Sequence, residues 1–177
     1  MQVFWEHGYL GGSIQDLEDA MGLKCTSIYN AFGNKRAFFE RVTACFKESV
    51  MAKLFAGMDA APNIRDGIRR LPGSALDSHF DEANPGGCLV VIPVLESGQH
   101  DSHSRALLQQ TIQDLRNALR SRLNHARKAG ELAPDPDTAA TAATIATTMT
   151  GMMVMGKANF TRAALKKTVN QVVRLLG

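Results

Sequence analysis

From Leu108 to Ala126 the apolar residues Leu108, Ile112, Leu115, Leu119, Leu123 and Ala126 recur three or four positions apart, while Arg116, Arg120, Arg122, Arg127 and Lys128 fall elsewhere. Only an α-helix gathers that spacing onto one face, so this stretch must bury one side and wet the other. Ser102 or Ser104 can cap its start and Gly130 can close its end. The same period returns along most of the 177 residues, and no segment shows sustained strand alternation bounded by hairpin turns. The chain therefore reads as all-α, with about nine helices.

The punctuation of those helices is legible. Phe4, Trp5 and Tyr9 mark a short first helix that Gly8 is expected to stop. Ser13 stands three residues before Asp16 and just ahead of Ile14, Leu17, Ala20 and Met21, the pattern of a capped second helix ending at Gly22. A third runs from Lys24 to Phe32. Asn34 caps a long fourth, whose apolar positions Phe38, Val42, Phe46, Val50, Leu54 and Met58 lead to Pro62. Asn63 opens the next, which Pro72-Gly73 is expected to kink or break. After Asn84-Pro85-Gly86-Gly87 the apolar run Cys88 to Leu95 reads as a buried helix, because nothing nearby would pair with it as a strand. Asp135-Pro136-Asp137 opens a further helix and Thr161 the last.

Composition removes several classes of function. With 45% hydrophobic and 21% charged residues the chain is neither disordered nor fibrous. Twenty Lys and Arg against 17 Asp and Glu leave a net charge of +3, which neither requires nor forbids a nucleic-acid partner. Cys25, Cys45 and Cys88 are odd in number and far apart, which argues for a reducing cytoplasm rather than a disulfide framework. No signal-peptide pattern follows Met1. Thr138 to Gly156 is uncharged and long enough to cross a bilayer, but its Thr and Ala content favours a buried helix, so no membrane partner is expected. Without a phosphate-cradling loop, a nucleophile elbow or paired catalytic carboxylates, no enzyme and no cofactor are expected.

The segment from Ser13 to Phe32 carries the functional signal. Two short helices joined at Gly22-Leu23 have the spacing of a helix-turn-helix, whose second helix enters the DNA major groove. Ile14, Leu17, Met21, Leu23, Ile28 and Phe32 are expected to form its apolar core. Lys24, Cys25, Thr26, Ser27, Tyr29 and Asn30 are left for phosphates and base edges. A packed helical hairpin that touches no DNA is the plainer alternative for this pattern. Residues 1–50 hold Lys24, Lys35, Arg36, Arg41 and Lys47 against Glu6, Asp16, Glu18, Asp19, Glu40 and Glu48. Any positive field must then be local, with the acids on the far face of the second helix.

Phe4-Trp5-Glu6-His7-Gly8-Tyr9, Ser13-Ile14, Ala20-Met21-Gly22-Leu23 and Ser27-Ile28-Tyr29-Asn30-Ala31-Phe32-Gly33-Asn34-Lys35 together resemble the DNA-binding domain of the tetracycline-repressor (TetR) family. Gly130-Glu131-Leu132 before an acidic-Pro helix start resembles that family's C-terminal half. The resemblance implies a helix-turn-helix domain over 1–47 (the motif itself over 13–32) and a ligand-binding and dimerisation domain over 48–177. It implies a homodimeric repressor that leaves its operator DNA when a small molecule binds. Lys24, Thr26, Ser27, Tyr29, Asn30 and Lys35 would face DNA, with Tyr29 and Lys35 on phosphates and Lys24, Cys25 and Thr26 against base edges. Gly12 stands where the family usually has Thr, and Lys24-Cys25 replaces the commoner Ser and Arg, so the base preference does not carry over. The first helix is also shorter than the family's, which implies a curtailed domain or a natural start upstream of Met1. A helical small-molecule or protein-binding dimer without sequence-specific DNA binding is the rival from another class.

Residues where apolar and polar groups share helical faces are the candidates for the effector pocket: Met51, Phe55, Met58, His79, Phe80 and Cys88, then Leu95, Leu108, Ile112, Met149, Met152 and Met153. Methionine-rich walls suit an adaptable cavity for an uncharged, aromatic or lipophilic ligand. Ile145, Leu165, Val169, Val172 and Val173 on the last two helices are expected to form the dimer seam. Cys88, near a possible helix start, is a candidate redox-sensing thiol with an inert buried thiol as the alternative. Glu96, His100, Asp101 and His103 are metal-capable but lack a ligand spacing, so no metal is expected.

Overall fold

The computed structural model describes residues 1–91, 102–133 and 137–174, with only the backbone at His103, Ser104 and Leu108. Three short helices, α1 (Gln2–Gly11), α2 (Ile14–Met21) and α3 (Cys25–Phe32), lead into α4 (Lys35–Phe46). A π-helical turn over Lys47–Met51 joins α4 to α5 (Ala52–Asp59). Then come α6 (Ile64–His79), the long α7 (Ser102–Lys128), α8 (Thr138–Lys157) and α9 (Arg162–Arg174). Among the described residues no helix is long and apolar enough to cross a membrane.

Side-chain caps place most of these starts. Asn34 accepts from the Ala37 N–H at 2.9 Å, Asn63 from Asp66 at 2.9 Å, and Asp137 from Ala140 at 2.9 Å. Each relieves an amide that the first helical turn leaves unbonded. The Thr161 hydroxyl does the same for Ala164 at 3.2 Å.

Gly8 interrupts α1 as its position suggests: at φ 72°, ψ −172° it kinks the helix, and a further turn follows before Gly12. Of the kink or break expected at Pro72 the break does not occur, since α6 runs on to His79. The lost hydrogen bond and ring clash cost about 3 kcal/mol, and the burial of Leu71 and Leu76 on either side outweighs them. Residues 88–91 form a turn rather than a helix, closed by Val91 N–H to Cys88 O at 3.0 Å. Gly86 and Gly87 precede it at φ 71° and 74°, a left-handed pair that turns the chain back into the protein. The rest of the expected helix, through Leu95, lies outside the described residues.

Three apolar clusters hold the molecule. Phe4, Trp5, Leu17, Ile28, Phe38, Phe39 and Phe46 make the N-terminal one, and Leu89 and Val90 from the far side of α6 insert into it. A central cluster joins Met58, Ile68 and Leu71 to Leu119 and Leu123 of α7 and Ile145 of α8. A smaller one gathers Leu76, Met152, Met153, Leu165 and Val169.

Candidate functional site

In α2 the Ser13 hydroxyl accepts from the Asp16 N–H at 3.1 Å, while the Asp16 carboxylate accepts from the Ser13 N–H at 2.7 Å and its hydroxyl at 2.6 Å. Those two donors hold the Asp16 carboxyl below its ordinary range. Gly22 closes α2 at φ 63°, a conformation that strains any other residue. That turn sets α3 across α2 with Ile28 buried and Phe32 half-buried, and it leaves Lys24, Thr26, Ser27, Tyr29 and Asn30 exposed. Cys25 is half-buried at the helix start. Lys35 lies beside this surface at the start of α4, half-buried, with its ammonium 3.4 Å from the Leu10 carbonyl and 5.1 Å from the centre of the Tyr9 ring.

Two readings of this region need correction. Met21 and Leu23 are not core: they are 38% and 44% exposed, because the turn at Gly22 carries both outward. Nor do all the acids of α2 face away from the recognition helix. Glu18 accepts from the Cys25 N–H at 2.5 Å. The N-cap of α3, Lys24, offers no side-chain acceptor, so Glu18 supplies one and its charge suits the positive end of the helix.

Behind this unit lies an apolar cavity of about 70 Å³. Among the expected pocket residues, Met51, Cys88, Ile112, Met149 and Met153 line it. Trp5 of α1 and Phe46 of α4 line it too, as do Val90 and Val91 of the turn. Among the described residues no charged side chain lines it, and its hydroxyls come from Ser78, Thr111 and Thr150. Thr111 donates to Leu107 O at 2.9 Å and Thr150 to Ala146 O at 3.0 Å, so each shows the cavity only acceptor lone pairs. A wider recess of about 430 Å³ beside α5 is open to solvent and charged, with Arg122 paired to Asp59 at 2.5 Å across it.

The other expected pocket residues sit elsewhere. Phe55 stacks under the Arg122 guanidinium at 4.4 Å, Met58 is buried in the central cluster, and Met152 packs with Leu76 and Leu165. Phe80 is 38% exposed. His79 turns away from the cavity to accept the Gly87 N–H at Nδ1, with Gly156 against its other edge. Burial holds its pKa below the ordinary value, and Lys157 adds to that. Leu95 and the Leu108 side chain lie outside the described residues, as do Glu96, His100, Asp101 and the His103 side chain. Burial pushes the Cys88 thiol up, only partly offset by the Val90 and Val91 amides, so it is not the activated thiol of a helix start.

Residues 66–172 match the family described as "Tetracyclin repressor-like, C-terminal domain", and residues 1–42 match "Bacterial regulatory proteins, tetR family". The chain belongs to the TetR family. As a TetR-family member it is a DNA-binding transcriptional regulator. A structure of the TetR family transcriptional regulator CifR, a cysteine mutant complexed with 26-bp operator DNA, superposes with a TM-score of 0.92 at 29% identity, over 98% of this chain and 91% of that one. The HTH-type transcriptional regulator YezE of Bacillus subtilis is 26% identical over 132 residues, 75% of this chain and 68% of that protein. The HTH-type transcriptional repressor ComR of Escherichia coli is 26% identical over 92 residues, which cover 51% of this chain and 44% of that protein.

In this TetR-family chain the residues expected at the dimer seam are already buried within one protomer. Ile145, Val172 and Val173 belong to the central cluster, and Leu165 and Val169 to the smaller one. One helical period cannot say whether an apolar face meets its own chain or another. What α8 leaves outside is mostly small, Ala139, Ala140, Thr144 and Thr147 with the larger Met155, whereas α9 exposes Arg162, Lys166, Lys167 and Arg174 beside Ala163, Ala164 and Thr168. Sequence reading also missed Trp5, Phe46 and Glu18. The first two sit in an aromatic pattern that fits plain core, and Glu18 becomes a cap only through a contact seven residues away.

Proposed function

We propose that this chain is a homodimeric, cytoplasmic repressor without catalytic activity, whose α3 enters the major groove of an operator. In this reading the molecule divides near residue 47 into a DNA-binding and an effector domain. Thr26, Ser27 and Asn30 with Lys24 and Cys25 face base edges, and Tyr29 and Lys35 hold phosphates. The observation that carries the reading is the exposed polar face of α3, fixed from behind by Ile28 and Phe32. The operator complex of CifR supports it.

A dimer must set its two recognition helices about 34–36 Å apart to meet successive turns of DNA. The outward face of α8, where Ala139, Ala140, Thr144 and Thr147 are small enough for close approach, is the proposed seam, with α9 beside it. An uncharged apolar or aromatic molecule entering the cavity favours another spacing and so lowers operator affinity by linkage. The test is a gel-shift titration against the DNA flanking the protein's own gene. A band competed only by the specific site, and weakened about tenfold or more by Tyr29→Ala, supports the proposal. Binding seen only at low salt and without sequence preference overturns it in favour of a dimer that binds no operator.

A further inference from the structure

Trp5 belongs to α1, in the DNA-binding part of the molecule, yet it forms part of the cavity wall. Its indole is 5% exposed and meets Phe46 edge-on at 5.3 Å. Its N–H donates to the Gly87 carbonyl at 3.3 Å, a contact spanning 82 residues of sequence. Two residues further on, Leu89 is wholly buried in the aromatic cluster that supports α1 and α4, and Val90 belongs both to that cluster and to the cavity wall. The segment from Gly86 to Val91 is thus a strap from the effector half inserted into the DNA-binding half. Three contacts pin it: Trp5 on the Gly87 carbonyl, His79 on the Gly87 amide, and Lys157, which donates to the Pro85 carbonyl at 2.9 Å.

The size of the cavity turns this into a functional statement. At about 70 Å³ it has under half the ~150 Å³ of an apolar cavity that admits benzene. Any aromatic occupant must therefore move a wall. The walls on α4, α6, α7 and α8 are held by their own helical hydrogen bonds. Among the described residues the strap has one backbone turn bond, Val91 to Cys88, besides its pins. It is the wall that yields first, and yielding withdraws Leu89 and Val90 from beneath α1 and α4.

We propose that the effector site spans both halves of the chain, with Trp5 a ligand-contacting residue and the strap the piece that an occupant displaces, so that occupancy is read by the DNA-binding domain directly. This rests on the ligand-release reading above. The chemistry of the described wall sets the ligand class: a neutral, mainly aromatic molecule whose few polar atoms would meet the Ser78, Thr111 or Thr150 hydroxyls.

Trp5 is the single tryptophan of the chain, so its emission reports this contact alone. The experiment uses the full chain without DNA and 4-bromophenol as probe, whose bromine quenches a touching indole, with 4-bromobenzoate as the charged control. Saturable quenching by the phenol but not the benzoate is expected, together with faster amide exchange in residues 2–11 and 35–46. Ala75→Phe, which fills the cavity from α6, should weaken the phenol's apparent affinity about tenfold or more. Ala75→Leu serves if the larger ring does not fold. Quenching that rises linearly without saturation overturns the proposal, as does binding seen by calorimetry with Trp5 emission and N-terminal exchange unchanged. Neither readout involves DNA, so failure of operator binding and failure of this coupling are separate results.

Discussion

The two halves of the molecule are packed from different materials. Around α1 to α4 the core is aromatic: Phe4 meets Phe38 at 5.8 Å and Phe39 at 5.3 Å, both edge-on, and Phe32 and Tyr9 lie over the same pair. Around α6 to α9 it is Met, Leu, Ile, Val and Ala, with Met58, Met149, Met152 and Met153 all buried. Edge-to-face rings prefer a narrow set of geometries, whereas thioethers adapt to irregular space. The contrast divides the labour: a stiff core presents α3 at a fixed angle, and a deformable one surrounds the space a ligand would enter. The strap at 86–91 is where a residue of the soft half, Leu89, lodges in the stiff one.

The sharpest way to break the contrast is to substitute a core residue on each side. Phe39→Ala removes a ring that touches both Phe4 and Tyr9. It should cost about 3–5 kcal/mol in chemical denaturation and abolish operator binding, because α4 then loses its seat. Met153→Leu keeps volume in the adaptable core and should cost under about 1.5 kcal/mol. Equal losses from the two would mean that the halves do not differ in stiffness. A smaller effect is expected where the soft half is not soft. A Cβ at Gly156 would strike the His79 ring. Gly156→Ala should therefore cost about 1–3 kcal/mol as an overpacked site. His79→Ala in the same chain should recover part of that loss, and a double-mutant cycle showing strict additivity would dismiss the contact.

How much of this was legible in the sequence divides along the same line. The helix-turn-helix could be read because its rules are local: Ser13 with Asp16 three positions on, Gly22 at the turn, Ile28 and Phe32 one helical turn apart. The same locality misplaced Met21 and Leu23, since whether a turn carries a side chain in or out depends on the angle between two helices. The cavity was half legible. Met51, Ile112, Met149 and Met153 fit its apolar chemistry, but Trp5 comes to it from α1 and Val90 from the turn after α6, a juxtaposition no period encodes. The residues chosen for the dimer seam show a related point: an apolar stripe says that a face is buried and not by which chain. Pro72 shows local propensity losing to tertiary burial.

Lower in magnitude stands the electrostatic test of the DNA-binding side. Lys35 is half-buried beside Tyr9 at the edge of the α3 surface. If its ammonium neutralises one phosphate, Lys35→Ala weakens binding to every sequence about equally and lowers the slope of log affinity against log salt by about 1. An unchanged slope would leave Lys35 with a structural task, holding the Leu10 carbonyl at the end of α1.

The smallest expected effect tests the latch on the strap. The His79 Nδ1 accepts the Gly87 N–H, which only an imidazole unprotonated at that nitrogen can do. Burial holds its folded pKa below the ordinary 6.5; the Gly156 backbone hydrogen bond opposes this, and Lys157 adds a smaller push in the same direction as burial. The neutral ring is therefore favoured by folding. Above pH 6.5 both folded and unfolded chains keep it neutral, and the contribution is fully present. As the pH falls through 6.5 the unfolded chain takes up the proton first, so stability is lost toward and through the folded pKa. Thermal unfolding at pH 7.5 and pH 5.5 should show a larger drop for the wild-type chain than for His79→Asn, whose amide oxygen can accept from Gly87 without titrating. Parallel drops in the two would show that the latch does not feel the proton, and that the strap is held by Trp5 and Lys157 alone.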